Sequence, residues 1–257
     1  MQSSGSSSGG EDGPTWVERS WGGNRVRVES TARGWVERSM ETHGSLYAAA
    51  RADHDLEVGG GRGPVYGVRS QGRAWMVRHY RRGGAFGDLL DDRYVSVRTP
   101  RPFREQAAAR ALRRAGVPTP GVVAAAVYAA GAFYRGDLVT ERVEGSTPLR
   151  QRLAKVAKHP EQEEDLMVRV GHLAYLVAQA GALHVDFNVA NILAVGNDVW
   201  VIDLDRCRLG VSGAPADQFV ERMLQRLQRS IRKTVMGGEP VPGVWLDGLA
   251  AGATSPS

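Results

Sequence analysis

His184-Val185-Asp186-Phe187-Asn188-Val189-Ala190-Asn191-Ile192-Leu193, followed a few residues later by Val201-Ile202-Asp203, is the stretch on which the reading of this chain turns. The pattern is H-x-D-x-x-x-x-N and then an aspartate closing a hydrophobic run. Between them stand Ile192-Leu193-Ala194-Val195, a Gly196-Asn197-Asp198 turn and Val199-Trp200-Val201-Ile202, which read as a two-stranded hairpin. A hairpin returns its two ends to one place. Asn191 and Asp203 can therefore share a hard divalent ion against nucleotide phosphates, and Asp186 is spaced to accept the proton of an attacking hydroxyl. Taken singly, each aspartate reads more readily as a turn cap and His184 as a core histidine. The four in order, with the hairpin between, are not explained that way.

The rest of the composition is compatible with such a site. The chain has 257 residues, enough for one large domain or two lobes, and 42% apolar with 24% charged residues is ordinary for a soluble globular protein. The uncharged apolar stretch from Gly121 to Tyr134 is too short and too rich in Ala and Gly to span a bilayer, and no basic segment with an apolar core opens the chain. A cytoplasmic location is expected. Cys207 is the single cysteine, which excludes an intrachain disulfide and a Cys-based metal site. A formal charge of +5 and a pI near 9.6 favour anionic partners without choosing among them. With 7% aromatic residues and no aromatic-basic stripe, finger or RNP-like run, a nucleic-acid partner is not expected.

Residues 1–14 are Ser/Gly-rich and read as a disordered leader. Trp16-Val17-Glu18-Arg19-Ser20 recurs as Trp35-Val36-Glu37-Arg38-Ser39, so residues 15–40 read as local duplication or an appended segment of uncertain order. From about residue 41 the pattern is that of a folded lobe ending at 141, followed by a second lobe over 142–236 and a loose Gly/Pro/Ala/Ser-rich tail over 237–257. In the first lobe, Leu56-Glu57-Val58, a glycine cluster containing Gly60, Gly61 and Gly63, and Val65 to Val68 read as strand, loop and strand. The loop suits either backbone approach to phosphate or an ordinary Gly-rich hairpin. Ala74-Trp75-Met76-Val77-Arg78-His79-Tyr80-Arg81-Arg82 is an apolar strand that turns basic. A helix from Arg104 to Gly116 follows, with Glu105 near its start, and then a hairpin over 122–140. Glu141-Arg142-Val143-Glu144-Gly145 reads as a hinge whose backbone would meet adenine. Helices over 149–158 and 165–179 support the catalytic loop.

Across residues 41 to 236 the chain resembles the lipopolysaccharide kinase branch of the protein-kinase-like superfamily. The resemblance is carried by Val77 to Gly84, Arg101-Pro102-Phe103-Arg104-Glu105, Val117-Pro118-Thr119-Pro120, His184 to Leu193 and Ile202-Asp203-Leu204-Asp205-Arg206. It implies an α+β, bilobal fold with a β-rich first lobe and a short, mainly α-helical second lobe. It also implies ATP and Mg²⁺ as cofactors, Asp186 as catalytic base, Asn191 and Asp203 as metal ligands, and Gly60, Gly61, Gly63, Arg78, Glu105, Glu141 and Val143 around the nucleotide. The implied reaction is transfer of the γ-phosphate to a sugar hydroxyl, the 4-hydroxyl of 3-deoxy-D-manno-octulosonic acid (Kdo) on a lipid A precursor. A monomer on the cytoplasmic face of an inner membrane is expected. Alternatives are a heptose or aminoglycoside-like acceptor, or a pseudokinase acting as a membrane-surface module.

Departures from protein kinases sharpen this expectation. Arg78 stands where a lysine is usual, so either it or Arg81 supplies the phosphate cation. Glu105 would pair with that cation, or merely favour the positive end of its helix. Val185 replaces the arginine that binds a phosphorylated activation loop, and no Ala-Pro-Glu anchor follows Asp203, which favours a small or glycolipid acceptor over a peptide. Arg81, Arg82, Arg98 and Arg101 are candidates for the acceptor's carboxylate or phosphates. Asp205 is either a substrate contact or the partner of Arg206 or Arg208. The segment from Asp217 to Val235 places Val220, Met223, Leu224, Leu227, Ile231 and Val235 on one stripe and Arg222, Arg226, Arg229, Arg232 and Lys233 elsewhere; the basic side is either solvated or set against an anionic bilayer.

Overall fold

The computed structural model describes residues 15–59, 63–81, 92–95, 99–210 and 215–254. Gly60, Gly61, Arg82 and Arg98, and the Ser/Gly-rich leader, lie outside the described residues. An antiparallel sheet forms the first half: β1 (Trp16–Trp21), β2 (Asn24–Glu29), β3 (Leu56–Val58), β4 (Val65–Ser70), β5 (Arg73–His79), β6 (Tyr94–Val95), β7 (Val122–Ala130) and β8 (Phe133–Glu141). The strands run in the order β1-β2-β7-β8-β5-β4-β3, with β6 added to β8. The second half is mainly helical, so the α+β expectation matches the architecture.

The central strands of the sheet are buried on both faces, and the alternation of β5 shows how. Trp75 and Val77 point into a core made with α1 (Arg33–His43) and α2 (Leu46–Ala52), while Arg78 points the other way, toward α3 (Arg101–Arg114). Local chemistry sets the helix ends. Gly44 takes the left-handed conformation that stops α1, and the Ser45 hydroxyl then accepts the Ala48 N–H at 3.1 Å to cap α2.

The appended-segment expectation for residues 15–40 is corrected here. β2 pairs with β7 from Arg25↔Val127 to Val28↔Ala124, and Val26 and Val28 are fully buried, so this stretch is part of the sheet. The repeated pentapeptide is a strand in β1 and a helix in α1. Identical residues take both forms because their tertiary partners outweigh an intrinsic preference worth well under about 1 kcal/mol per residue.

Between α2 and the sheet lies a buried carboxylate, Asp137. It accepts the Tyr47 N–H at 2.8 Å and the Tyr128 hydroxyl at 2.7 Å, and it meets His79, which also faces Asp92 at 3.0 Å. Burial alone favours loss of the His79 proton, but the two carboxylates outweigh it and raise the pKa above 6.5. A raised folded-state value means that this histidine stabilises the fold most below the unfolded pKa, and that the contribution is lost as pH rises through the folded one. Urea midpoints measured from about pH 6 upward should fall in the wild type and fall less in His79→Gln. Parallel slopes would exclude this pairing as the cause.

The helical half is built on α5 (Glu164–Gln179), preceded by β9 (Thr147–Pro148) and α4 (Leu149–Lys155). It continues with β10 (Ala182–His184), β11 (Ile192–Val195), β12 (Asp198–Val201), β13 (Cys207–Leu209), α6 (Ala216–Thr234) and α7 (Gly243–Ala253). The loose-tail expectation for residues 237–257 is corrected by α7, which lies against α5 with Trp245 and Leu249 fully buried and the Trp245 indole N–H donating to the Pro160 carbonyl at 2.8 Å. Glycines on both helices serve close approach. A Cβ on Gly252 would stand 1.8 Å from the Val168 carbonyl oxygen, and one on Gly171 would stand 2.3 Å from that of Leu249. Helix propensity alone gives Gly252→Ala a gain of about 1 kcal/mol; the backbone clash should reverse the sign and cost about 3 kcal/mol. A urea titration decides, and a stabilised variant would contradict this packing.

Candidate active site

Strand β10 delivers the chain to Asp186, and the loop after it is pinned by the fully buried Phe187 and Val189. The side-chain amides of Asn188 and Asn191 donate to the Asp186 carbonyl at 2.9 and 3.0 Å. With its amide nitrogen so engaged, Asn191 is left with Oδ1 as its ligand atom. The hairpin forms as expected, with Ile192 opposite Val201, and the Ile202 N–H donates to the Asn191 carbonyl at 2.9 Å. That last bond sets Asn191 and Asp203 side by side.

His184 is buried, and its Nε2 faces the Ile202 carbonyl at 3.1 Å. A carbonyl only accepts, so Nε2 carries the proton. Burial pushes the pKa of this imidazole below 6.5, an effect opposite in sign to that at His79: its stability contribution is lost as pH falls. The role is structural, tying the Asp186 loop to the segment that precedes Asp203. Asp203 itself sits at φ 59° and ψ 65°, a left-handed conformation rare for a residue with a side chain. That backbone turn redirects the chain into the 3-10 turn Leu204–Arg206.

Glu105 is the junction between the two halves. Only 4% exposed, it pairs with Arg78, accepts the Tyr80 hydroxyl through the same oxygen, and accepts the Leu204 N–H through the other at 3.1 Å. Arg78 also lies 3.3 Å from Asp203 and over the Tyr80 ring. Burial raises the Glu105 carboxyl, Arg78 opposes that shift, and the two carboxylates hold Arg78 fully protonated. The structure thus brings Arg78, Glu105, Asn191 and Asp203 together.

Other residues singled out from the sequence lie elsewhere or are engaged. The Glu141 carboxylate accepts the Gly121 N–H at 2.8 Å and pairs with Arg113, so only its backbone and that of Val143 remain to line a hinge between β8 and β9. Gly63 has φ +105° and lies against the Arg81 side chain. Arg81 lines a cavity of about 680 Å³ beside α2, with Tyr47 and His79. Arg101, read as an acceptor contact, grips both oxygens of Asp205, which is 4% exposed; the two side chains satisfy each other. This pair also explains Asp205, whose partner is neither Arg206 nor Arg208.

Two cations that the sequence reading did not connect with Asp186 stand over it. Strand β13 pairs with β10, His184 opposite Cys207, and so places Arg206 next to the Asp186 loop. Its Nη1 lies 3.1 Å from one Asp186 oxygen and 3.4 Å from the other, and Arg226 of α6 reaches within 3.9 Å.

The donor set is suited to Mg²⁺ carried on nucleotide phosphates: two neighbouring oxygen ligands and no soft donor. Among the described residues no group of three or more His, Cys, Asp or Glu side chains is arranged to hold a metal.

Comparison with known proteins identifies the family of the chain. A family model described as the lipopolysaccharide kinase (Kdo/WaaP) family matches residues 54–239. The chain is 33% identical over 178 residues to the 3-deoxy-D-manno-octulosonic acid kinase of Vibrio cholerae, covering 68% of this chain and 72% of that relative. To the enzyme of the same name from Stenotrophomonas maltophilia it is 38% identical over 178 residues, covering 68% of each. The solved structure of WaaP in complex with acyl carrier protein overlays with a TM-score of 0.55, across 89% of this chain and 88% of that one at 18% identity, a likeness of fold.

Proposed function

Because the chain belongs to the lipopolysaccharide kinase (Kdo/WaaP) family, we propose that it transfers the γ-phosphoryl group of ATP to a hydroxyl of Kdo on a lipid A precursor. The observation that carries this reading is the assembly of Asp186, Asn191, Asp203, Arg78 and Glu105 in one place, all within the matched residues, in a chain about one-third identical to named Kdo kinases.

Asp186 receives the proton of the attacking sugar hydroxyl and orients that oxygen for in-line displacement at the γ-phosphorus, with ADP as the leaving group. Asn191 and Asp203 would hold Mg²⁺, which when bound offsets phosphate charge. Arg78 clamps phosphate oxygens, and Glu105 fixes the direction of its guanidinium. Catalysis then rests on positioning and electrostatics. The backbone of Glu141 and Val143 lines the adenine, and Gly63 borders the phosphates.

No helix among the described residues is long and apolar enough to cross a membrane. In α6 the buried residues Phe219, Val220, Met223, Leu227 and Ile231 face the protein, and Arg222, Arg229, Arg232 and Lys233 are exposed. That exposed side is suited to anionic headgroups at the cytoplasmic face of the inner membrane, where the glycolipid acceptor resides.

The test is label transfer from γ-labelled ATP, with Mg²⁺, to Kdo-lipid A precursor, heptose and aminoglycoside acceptors in parallel. Labelling of the Kdo acceptor in preference to the others is expected. Preferential labelling of heptose or an aminoglycoside would replace this reading, and Mg²⁺·ATP binding without transfer to any acceptor would reduce the chain to a binding module.

A further inference from the structure

We propose that Arg206 and Arg226 form the anion site that seats the carboxylate of an acidic sugar over Asp186, and so select a sugar acid over a neutral sugar. This rests on the sugar-kinase reading above and names what that site recognises beyond a hydroxyl.

A base that takes a proton in the transition state stands within about 3 Å of the hydroxyl it serves. Arg206 is 3.1 Å and Arg226 3.9 Å from the Asp186 carboxylate, so an acceptor whose hydroxyl reaches Asp186 is brought against both guanidiniums. Two positive charges face one carboxylate here, a surplus that an anionic group on the acceptor would neutralise. The nearest alternative carboxylate on the same turn, Asp205, is held by Arg101 and offers Arg206 no competing partner.

Both arginines are open to a ligand and rigidly carried. Their side chains are 56% and 38% exposed. Arg226 rides on a long helix whose other side is fixed by the fully buried Met223, Leu227 and Ile231. Arg206 ends a 3-10 turn anchored by the bond from the Leu204 N–H to Glu105 and by the Arg101–Asp205 pair. The cationic face continues along α6, where Arg222 and Arg229 flank Arg226 one turn to either side. A guanidinium pair matches the planar fork of a carboxylate, which a neutral heptose lacks. Arg101, and Arg81 beside α2, are by contrast occupied or turned to another cavity.

The experiment crosses protein and acceptor. Steady-state transfer is measured for the wild type and for the double variant Arg206→Gln/Arg226→Gln, each with the native Kdo acceptor and with the same acceptor carrying its carboxylate as a neutral amide. For the wild type, converting the carboxylate to the amide should raise the acceptor KM roughly 30-fold. The double variant should show a similar rise on the native acceptor, little further rise on the amide, and an unchanged KM for ATP. Independent, multiplying losses from protein and acceptor changes would overturn the assignment, since the arginines would then act on Asp186 alone. So would a raised KM for ATP. Wild-type transfer without any coupling sinks this inference only, whereas no wild-type transfer to the native acceptor sinks it together with the function proposed above.

Discussion

Replacing Asp186 by asparagine is expected to lower phosphoryl transfer by about 10³-fold while leaving the fold in place. The change is isosteric, and the carbonyl of residue 186, which holds Asn188 and Asn191, is untouched. What disappears is the oxygen that can accept the hydroxyl's proton. The ion pairs lost to Arg206 and Arg226 are solvent-exposed on the arginine side and are worth about 1 kcal/mol or less, so thermal stability should hardly move. ATP binding should persist, because Arg78, Glu105, Asn191 and Asp203 are intact. Initial rates together with a melting curve test this: a variant that retains most of its transfer activity, or that loses activity only by unfolding, would remove Asp186 from the role of base.

The second large effect is expected at Glu105, where stability and activity should fall together. Its carboxylate serves Arg78, the Tyr80 hydroxyl and the Leu204 N–H at once. Glu105→Ala leaves a mostly buried arginine with Asp203 as its one carboxylate partner, and leaves the Tyr80 hydroxyl and the Leu204 N–H without their acceptor. Breaking a pair of this kind costs about 3 kcal/mol. Arg78, freed from one partner, would turn toward Asp203 and compete with its proposed metal. Transfer should fall by about 10²-fold, with a raised KM for Mg²⁺·ATP. Glu105→Gln keeps an acceptor for Leu204 and should recover part of the stability but little of the activity. If Glu105→Ala were as stable and active as the wild type, the carboxylate would be no more than a favourable charge near a helix start.

Local signals were legible in the sequence and distant pairings were not. The hairpin between Asn191 and Asp203, the β7–β8 hairpin and helix α5 each announce themselves within a few residues, through turn chemistry or periodicity. The Glu105–Arg78 pair was also reachable, since each lies at a fixed place on its own element. By contrast, β1 and β2 belong to the fold only because β2 finds β7, roughly a hundred residues away along the chain, and nothing near Trp16 says so. The duplicated pentapeptide drew attention to a repeat where the structure has a strand and a helix. The glycines of α7 look like linker composition, yet they are what lets that helix touch the backbone of α5. At the site, the misleading signal was basicity itself. Arg101 opens the Arg101–Glu105 run but is bound to Asp205, while Arg206 and Arg226 reach Asp186 through the β10–β13 ladder and the placement of α6. A run of arginines shows where charge is available; the fold shows which of it faces the chemistry.

The most direct test of the proposed activity is mass spectrometry of Kdo-lipid A precursor after incubation with the protein and Mg²⁺·ATP. The acceptor should gain the mass of one phosphoryl group, fragmentation should place it on the Kdo unit, and the Asp186→Asn protein should leave the acceptor unchanged. An unaltered acceptor with the wild type, or an equal gain with Asp186→Asn, would contradict the account.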